Sequence, residues 1–150
     1  MLFEKVDIEK IIVVKKRDSF LSHFITILKH DYKLSGEIGK SEVKLWQFNL
    51  WNAIFFPVFI FRFNSKGEPI SINSKTNSFG KLIYILFLIF LSSFFINLVF
   101  NITKSLGLFF LMIIYLVFIT LFILISLKIH NYEKKKQLKK IYKRLNKIAK

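Results

Sequence analysis

The chain has 150 residues, 53% of them hydrophobic and 19 of them Phe, with 24 Lys and Arg set against 9 Asp and Glu. A soluble domain of this length seldom carries so much apolar surface. The absence of cysteine excludes disulfides, thiolate metal sites and a Cys nucleophile in one step.

Residues 1–31 read as an N-terminal helical segment. From Asp18 onward Phe20, Leu21, Phe24, Ile25 and Leu28 recur at three- and four-residue steps, which places one apolar stripe on a helix with Asp18 or Ser19 as its N-cap. IIVV at Ile11 to Val14 fits either a continued helix or a short strand, and periodicity does not separate the two. Met1 to Lys10 already carries Glu4, Asp7 and Glu9 with no apolar core behind it, so no signal peptide is expected.

Residues 32–80 change texture. LSGEIG, EVKLWQF, PVFIFRF and EPISINS are short segments rich in Val, Ile, Phe and Trp, separated by turn formers at Gly39-Lys40-Ser41 and Asn64-Ser65-Lys66-Gly67. Strands joined by short turns pair most readily as an antiparallel meander. Within PVFIFRF, Phe59, Phe61 and Phe63 project to one face and Val58, Ile60 and Arg62 to the other, so both faces need cover. The helix of residues 18–30 is expected on one face. The bilayer interface or the cytoplasmic ends of the spans are expected on the other.

The stretch from Leu45 to Asn64 is long and greasy, but it holds Gln47, Asn49, Asn52, Pro57 and Arg62. Arg alone costs roughly 2.5 to 3.5 kcal/mol at the centre of a membrane helix, so a crossing here is disfavoured. Trp46 and Trp51 suit either the headgroup zone or a small core. Together with Phe59, Phe61 and Phe63 they are the candidates for an interface or ligand surface.

Leu82 to Thr103 and Ser105 to Leu127 contain no charged residue and are interrupted only by Lys104. Each run reaches the roughly 20 residues that span about 30 Å of hydrocarbon. Residues 81–130 therefore read as a transmembrane hairpin, with spans of about 82–102 and 106–128. Ser93 and Asn97 lie four apart on one face and are candidates for helix packing, with Tyr115, Thr120 and Ser126 available to meet them from the second span. No ionisable acid, base or His sits inside either run, which favours packing over a transport path.

Residues 131–150 form a basic tail. Leu138, Ile141, Tyr142, Leu145, Ile148 and Ala149 recur at helical spacing, while Lys134, Lys135, Lys139, Lys143, Arg144 and Lys147 fill most remaining positions. Such a helix, lying along an anionic inner leaflet, gains about 1 kcal/mol per Lys or Arg near the lipid. Docking of the tail on the β region or on a partner protein is the sharper alternative. Ten basic residues from Lys128 to Lys150 against one acid, and a single Lys104 between the spans, place both termini in the cytoplasm by the positive-inside tendency.

Catalytic groupings are not evident. His23, His30 and His130 are scattered; the first two, seven apart on a helix, would stand about 10 Å apart, too far for one metal ion, and read as surface or interface histidines. Nothing in the spacing pairs the acids Glu37, Glu42 and Glu68.

The succession LSGEIGKSEVKL, then FFPVFIFRFNSKGEPISI, then a short polar link into a hydrophobic run resembles a loose group of small uncharacterised bacterial membrane proteins. The likeness covers roughly Tyr32 to Phe100 and rests on Gly36, Ile38, Pro57, Gly67 and Ile70. It implies a topology and no activity.

The expectation is an α+β membrane protein: a two-helix transmembrane hairpin, a small N-terminal antiparallel β-sheet region and a C-terminal amphipathic helix, in the inner membrane with two spans. The expected role is a non-enzymatic, membrane-anchored binding module without cofactor. Its expected partners are anionic lipid and a protein partner or a second copy, and not nucleic acid. A membrane-active effector or immunity protein, and an accessory subunit of a membrane complex, are the alternatives.

Overall fold

The computed structural model describes residues 3–49, 55–101 and 105–148. The chain opens with α1, Lys5–Ile11, whose third residue Asp7 accepts a hydrogen bond from the Glu4 amide at 3.0 Å and so satisfies one of the donors a helix start leaves over. Ile8 and Ile11 are its buried residues. The chain then straightens into β1, Val14–Lys15. IIVV is thus divided: Ile11 ends the helix and Val14 begins the strand.

Next come α2, Phe20–Leu28, capped by Ser19, whose side chain accepts from the Ser22 amide at 3.3 Å, and the strands β2, Ser35–Ile38, β3, Glu42–Trp46, β4, Pro57–Phe63, and β5, Pro69–Thr76. The sheet order is β1-β2-β3-β4-β5. β2 to β5 form the antiparallel meander expected from their turns. The sheet as a whole is mixed, because β1 pairs parallel with β2, Val14 opposite Ser35. This corrects the purely antiparallel sheet and adds a short strand to the helical segment of residues 1–31. A two-residue strand carries no alternation for a sequence pattern to register. At the far turn Gly67 adopts φ +82°, a left-handed conformation glycine takes freely, and its carbonyl accepts from the Lys5 amide at 3.0 Å, tying α1 to the β4–β5 turn.

Two long helices follow: α3, Ser78–Asn101, and α4, Ser105–Ile148. Each has an apolar stretch long enough to cross a membrane, and none of either stretch's most apolar window is buried within the protein. The polar link that leads into the first hydrophobic run, Asn73 to Gly80, is taken up by regular structure. Thr76 still belongs to β5 and Ser78 already belongs to α3, leaving Asn77 alone between them. α4 likewise runs without a break through the point near residue 130 where hairpin and tail were separated. Its 44 residues make it about 66 Å long at 1.5 Å per residue.

The core has two parts, one on each sheet face. On the first face Val43, Leu45, Phe59, Phe61 and Phe63 pack with Phe3, Ile8, Ile11 and Leu34, and with Ile141 and Leu145 of α4; Leu138 and Tyr142 flank them. On the second face Trp46 and Val58 pack with Phe48 and Phe56, and Ile27 of α2 closes the cluster. The cover for the Phe59, Phe61 and Phe63 face is therefore the C-terminal part of α4 together with α1. This replaces the lipid-lying tail as the position of the apolar stripe: the stripe buries itself against the sheet.

Candidate functional site

α2 meets the sheet with the side opposite to the one its periodicity advertises. At about 100° per residue, Phe20, Leu21, Phe24, Ile25 and Leu28 fall within an arc of about 140°. The fully buried residues of the helix are instead His23 and Thr26. Phe20, Leu21 and Leu28 are exposed, and Phe24 and Ile25 are half-buried. The apolar stripe thus looks outward. It joins the first turn of α3, where the Phe79 ring lies 5.3 Å from the rings of both Phe20 and Phe24.

What turns the helix over is a polar clamp under it. The His23 ring is inserted between Trp46 and Phe56, at centroid distances of 5.0 and 5.4 Å. Its Nε2 hydrogen donates to Asp18 Oδ1 at 2.7 Å, which closes the residue before the Ser19 cap onto the helix's second turn. Thr26 Oγ1 donates back to the Ser22 carbonyl at 2.8 Å, so this hydroxyl is satisfied without water. With Nε2 paired to a carboxylate the buried imidazole costs less to hold in the core than the same ring wholly unpaired, although its Nδ1 is buried without a partner.

Asp18 is the centre of a wider ion cluster. Lys75 Nζ lies 2.6 Å from its Oδ2 and Lys44 Nζ 3.8 Å away; Lys44 also reaches Glu37 at 3.5 Å and Glu42 at 3.4 Å. The Asp18 amide donates to Glu37 Oε2 at 2.8 Å, and Arg62 Nε stands 4.0 Å from Glu42. Burial pushes the Asp18 carboxyl up, but the hydrogen bonds from His23 and Lys75 and their positive charge outweigh it and hold its pKa at about 2. For Lys44, burial pushes the ammonium down, and Glu37, Glu42 and Asp18 more than reverse this, leaving it raised.

The sheet register assembles these groups. Glu37 pairs with Lys44 across β2–β3, and Glu42 with Arg62 across β3–β4, all on the face that α2 half covers. Sequence spacing missed the cluster because its members come from four strands and one loop. Only Asp18 and His23, five apart, and Glu42 and Lys44, two apart on β3, lie close in the chain.

The residues singled out from the sequence distribute as follows. Trp46, Phe59, Phe61 and Phe63 are buried in the two core clusters, so the aromatic strand set offers no ligand surface in this structure; Trp51 lies outside the described residues. His23 is a core residue and not a surface one, and His30, in the turn after α2 with φ +47°, is exposed, its ring 6.0 Å from that of Phe48 at the edge of the same cluster. Between α3 and α4 the hydroxyl bond runs from Ser92 to Tyr115 at 2.8 Å, with Phe95 stacked on Tyr115 at 4.0 Å. Ser93 instead donates to the Ile89 carbonyl of its own helix at 2.9 Å, and Asn97 is exposed. Of the tail cations, Lys135, Lys139, Lys143 and Lys147 are exposed, and Lys134 and Arg144 are half-buried.

Comparison with protein-family models, with curated proteins and with solved structures finds no match to this chain.

Proposed function

We propose that the chain is an integral protein of the bacterial inner membrane, with α3 and the first half of α4 as its two spans. Both termini are cytoplasmic, and the α+β domain serves as a non-enzymatic binding module held at the inner face. The observation that carries this reading is the continuity of α4. One uninterrupted helix passes from an apolar stretch with no cover of its own into the core of a packed domain. Apolar surface on every side of a helix needs an apolar surrounding, and a chain of this size cannot wrap both helices.

The same continuity sorts the lysines of the tail. With the membrane boundary near Lys128, Lys134 and Lys135 sit about 10 Å beyond it along the axis, and Lys143 and Lys147 about 22 and 28 Å beyond. Headgroup charge is screened over about 8 Å at physiological ionic strength, so the lower lysines are held by anionic lipid and the upper ones are free for another partner. The exposed row Lys139, Lys143 and Lys147 fits an acidic protein surface approaching from the cytoplasm.

Because the chain has no cysteine, single cysteines test the topology directly. Placed at Lys40, Ser65, Lys104 and Lys143, only the one at Lys104 is expected to react with a membrane-impermeant maleimide added to intact spheroplasts. Labelling at Lys40 or Lys143 from outside overturns the orientation. A photo-crosslinker at Lys139 and Lys143 is expected to give a protein adduct in cells that one at Ile70 does not, and no adduct at either lysine counts against the binding role.

A further inference from the structure

We infer that α2 is an interfacial helix whose outward stripe of Phe20, Leu21, Phe24, Ile25 and Leu28 is embedded in the headgroup and upper acyl region of the same leaflet that α3 enters. This rests on the membrane reading above and adds a third attachment that the two spans do not supply.

Three independent observations point to lipid as the occupant. The first is orientation. The sheet has taken the side of α2 bearing His23 and Thr26 and left the apolar side outward, with Leu21 at 62% and Leu28 at 61% exposure. A nine-residue helix on the surface of a water-soluble domain would be turned the other way, because burying its stripe is the main reason it would fold there.

The second is continuity. Phe20 and Phe24 touch Phe79 in the first turn of α3, so the stripe lies at the start of a helix that carries no charged residue from Leu82 to Asn101 and leaves its apolar surface uncovered.

The third is charge. Arg17 precedes the helix, Lys29 caps its end and Lys81 lies beside Phe79; all three are exposed. Cations at both ends of an outward apolar stripe are the arrangement by which short helices lie on anionic bilayers. The Asp18–His23 bond then has a purpose beyond stability: it holds the polar side down, so that the apolar side remains presented.

The test uses the full chain in nanodiscs of phosphatidylcholine and phosphatidylglycerol. An environment-sensitive fluorophore is carried on a single cysteine at Leu21 or Leu28, at Phe118 in α4, or at Ile70 in β5, all exposed positions whose replacement leaves the core intact. Leu21 and Leu28 are expected to emit blue-shifted and to be quenched most by a spin label high on the acyl chain. Phe118 is expected to be quenched most by a deep one, and Ile70 only by aqueous iodide.

Deep quenching at Phe118 with iodide quenching at Leu21 and Leu28 overturns the interfacial helix while leaving the two spans standing. Loss of lipid quenching at Phe118 overturns the membrane reading itself. Blue-shifted emission at Leu21 without quenching by any lipid label means that protein covers the stripe, and it also overturns the inference.

Discussion

Leu145→Ala separates a docked tail from one lying on lipid. Leu145 is 1% exposed and Ile141 4%, and both pack into the cluster formed by Ile8, Val43, Leu45, Phe59, Phe61 and Phe63. Truncating a leucine in such a site removes its transfer energy and leaves a cavity, about 2 to 5 kcal/mol together. Global unfolding is not the quantity to read in a chain with two apolar helices, because those helices need not unfold with the sheet. Hydrogen exchange in nanodiscs reads the opening of the sheet alone. The β3 and β4 amides opposite α4 should lose protection by roughly 30- to 3,000-fold, the equivalent of that energy at about 1.4 kcal/mol per decade. Lys143→Ala, on the exposed side of the same helix, should stay within about 0.5 kcal/mol. If Leu145→Ala leaves β3 and β4 protected while residues 138–148 exchange freely, the tail does not contribute to the core and the docking argument fails.

Two further outcomes probe the clamp and the joint. The Asp18 carboxyl has its pKa lowered from 3.8 to about 2 on folding, so the stability it contributes is fully present above 3.8 and is lost as pH falls towards 2. At 1.36 kcal/mol per pH unit this amounts to about 2 kcal/mol. Asp18→Asn should therefore destabilise the sheet domain near neutral pH, measured by exchange at Trp46 and Val58, and the difference from the parent should shrink as pH approaches 2; a gap that stays constant with pH refutes the electrostatic account. Asn77→Ala removes the bond that Oδ1 accepts from the Gly80 amide at 2.7 Å and the one Nδ2 donates to the Phe56 carbonyl at 3.1 Å, leaving the Gly80 amide without its cap and the carbonyl with only the longer bond from the residue-77 amide at 3.4 Å. A loss of about 1 to 3 kcal/mol is expected, read as faster exchange in the first turn of α3 and broader spin-label distances between β5 and α3, and unchanged distances would mean that Asn77 is not what fixes the joint.

The meander was legible because its signals are local. Pro57–Phe63 alternates over seven residues between turn formers, and the structure reproduces that strand to the residue. The two apolar runs were equally plain, since length and lack of charge suffice to find them. What escaped depended on which neighbour each face meets. The stripe in residues 138–145 suits a bilayer and a sheet equally well, and only the unbroken course of α4 directs it to the sheet. The stripe of α2 was found at its correct spacing and given the wrong side. Periodicity measures segregation around an axis and carries no sign for inward or outward. His23 held that sign, because a histidine opposite an apolar stripe and five residues after an Asp has a partner within reach that can take it into a core.

Both joints between the sheet and the long helices are stiff, and this restricts how the domain can move. β5 passes to α3 through the single residue Asn77, whose side chain bonds both to α3 and to the segment leading into β4. On the other side α4 needs no joint at all. A flexible tether would let the domain sample a hemisphere above its anchor, whereas here any rotation must bend α4 or shear Ile141 and Leu145 across Phe59 and Phe61. The Ser92–Tyr115 bond and the stacked pair Tyr84–Phe122 connect α3 and α4 to each other, so sheet and long helices form a closed loop of rigid contacts. With α3 and α4 spanning a bilayer as proposed, a partner docked on the lysine row of α4 would be held at a fixed height and orientation over it. That geometry suits a module that positions its ligand better than one that captures it by reach.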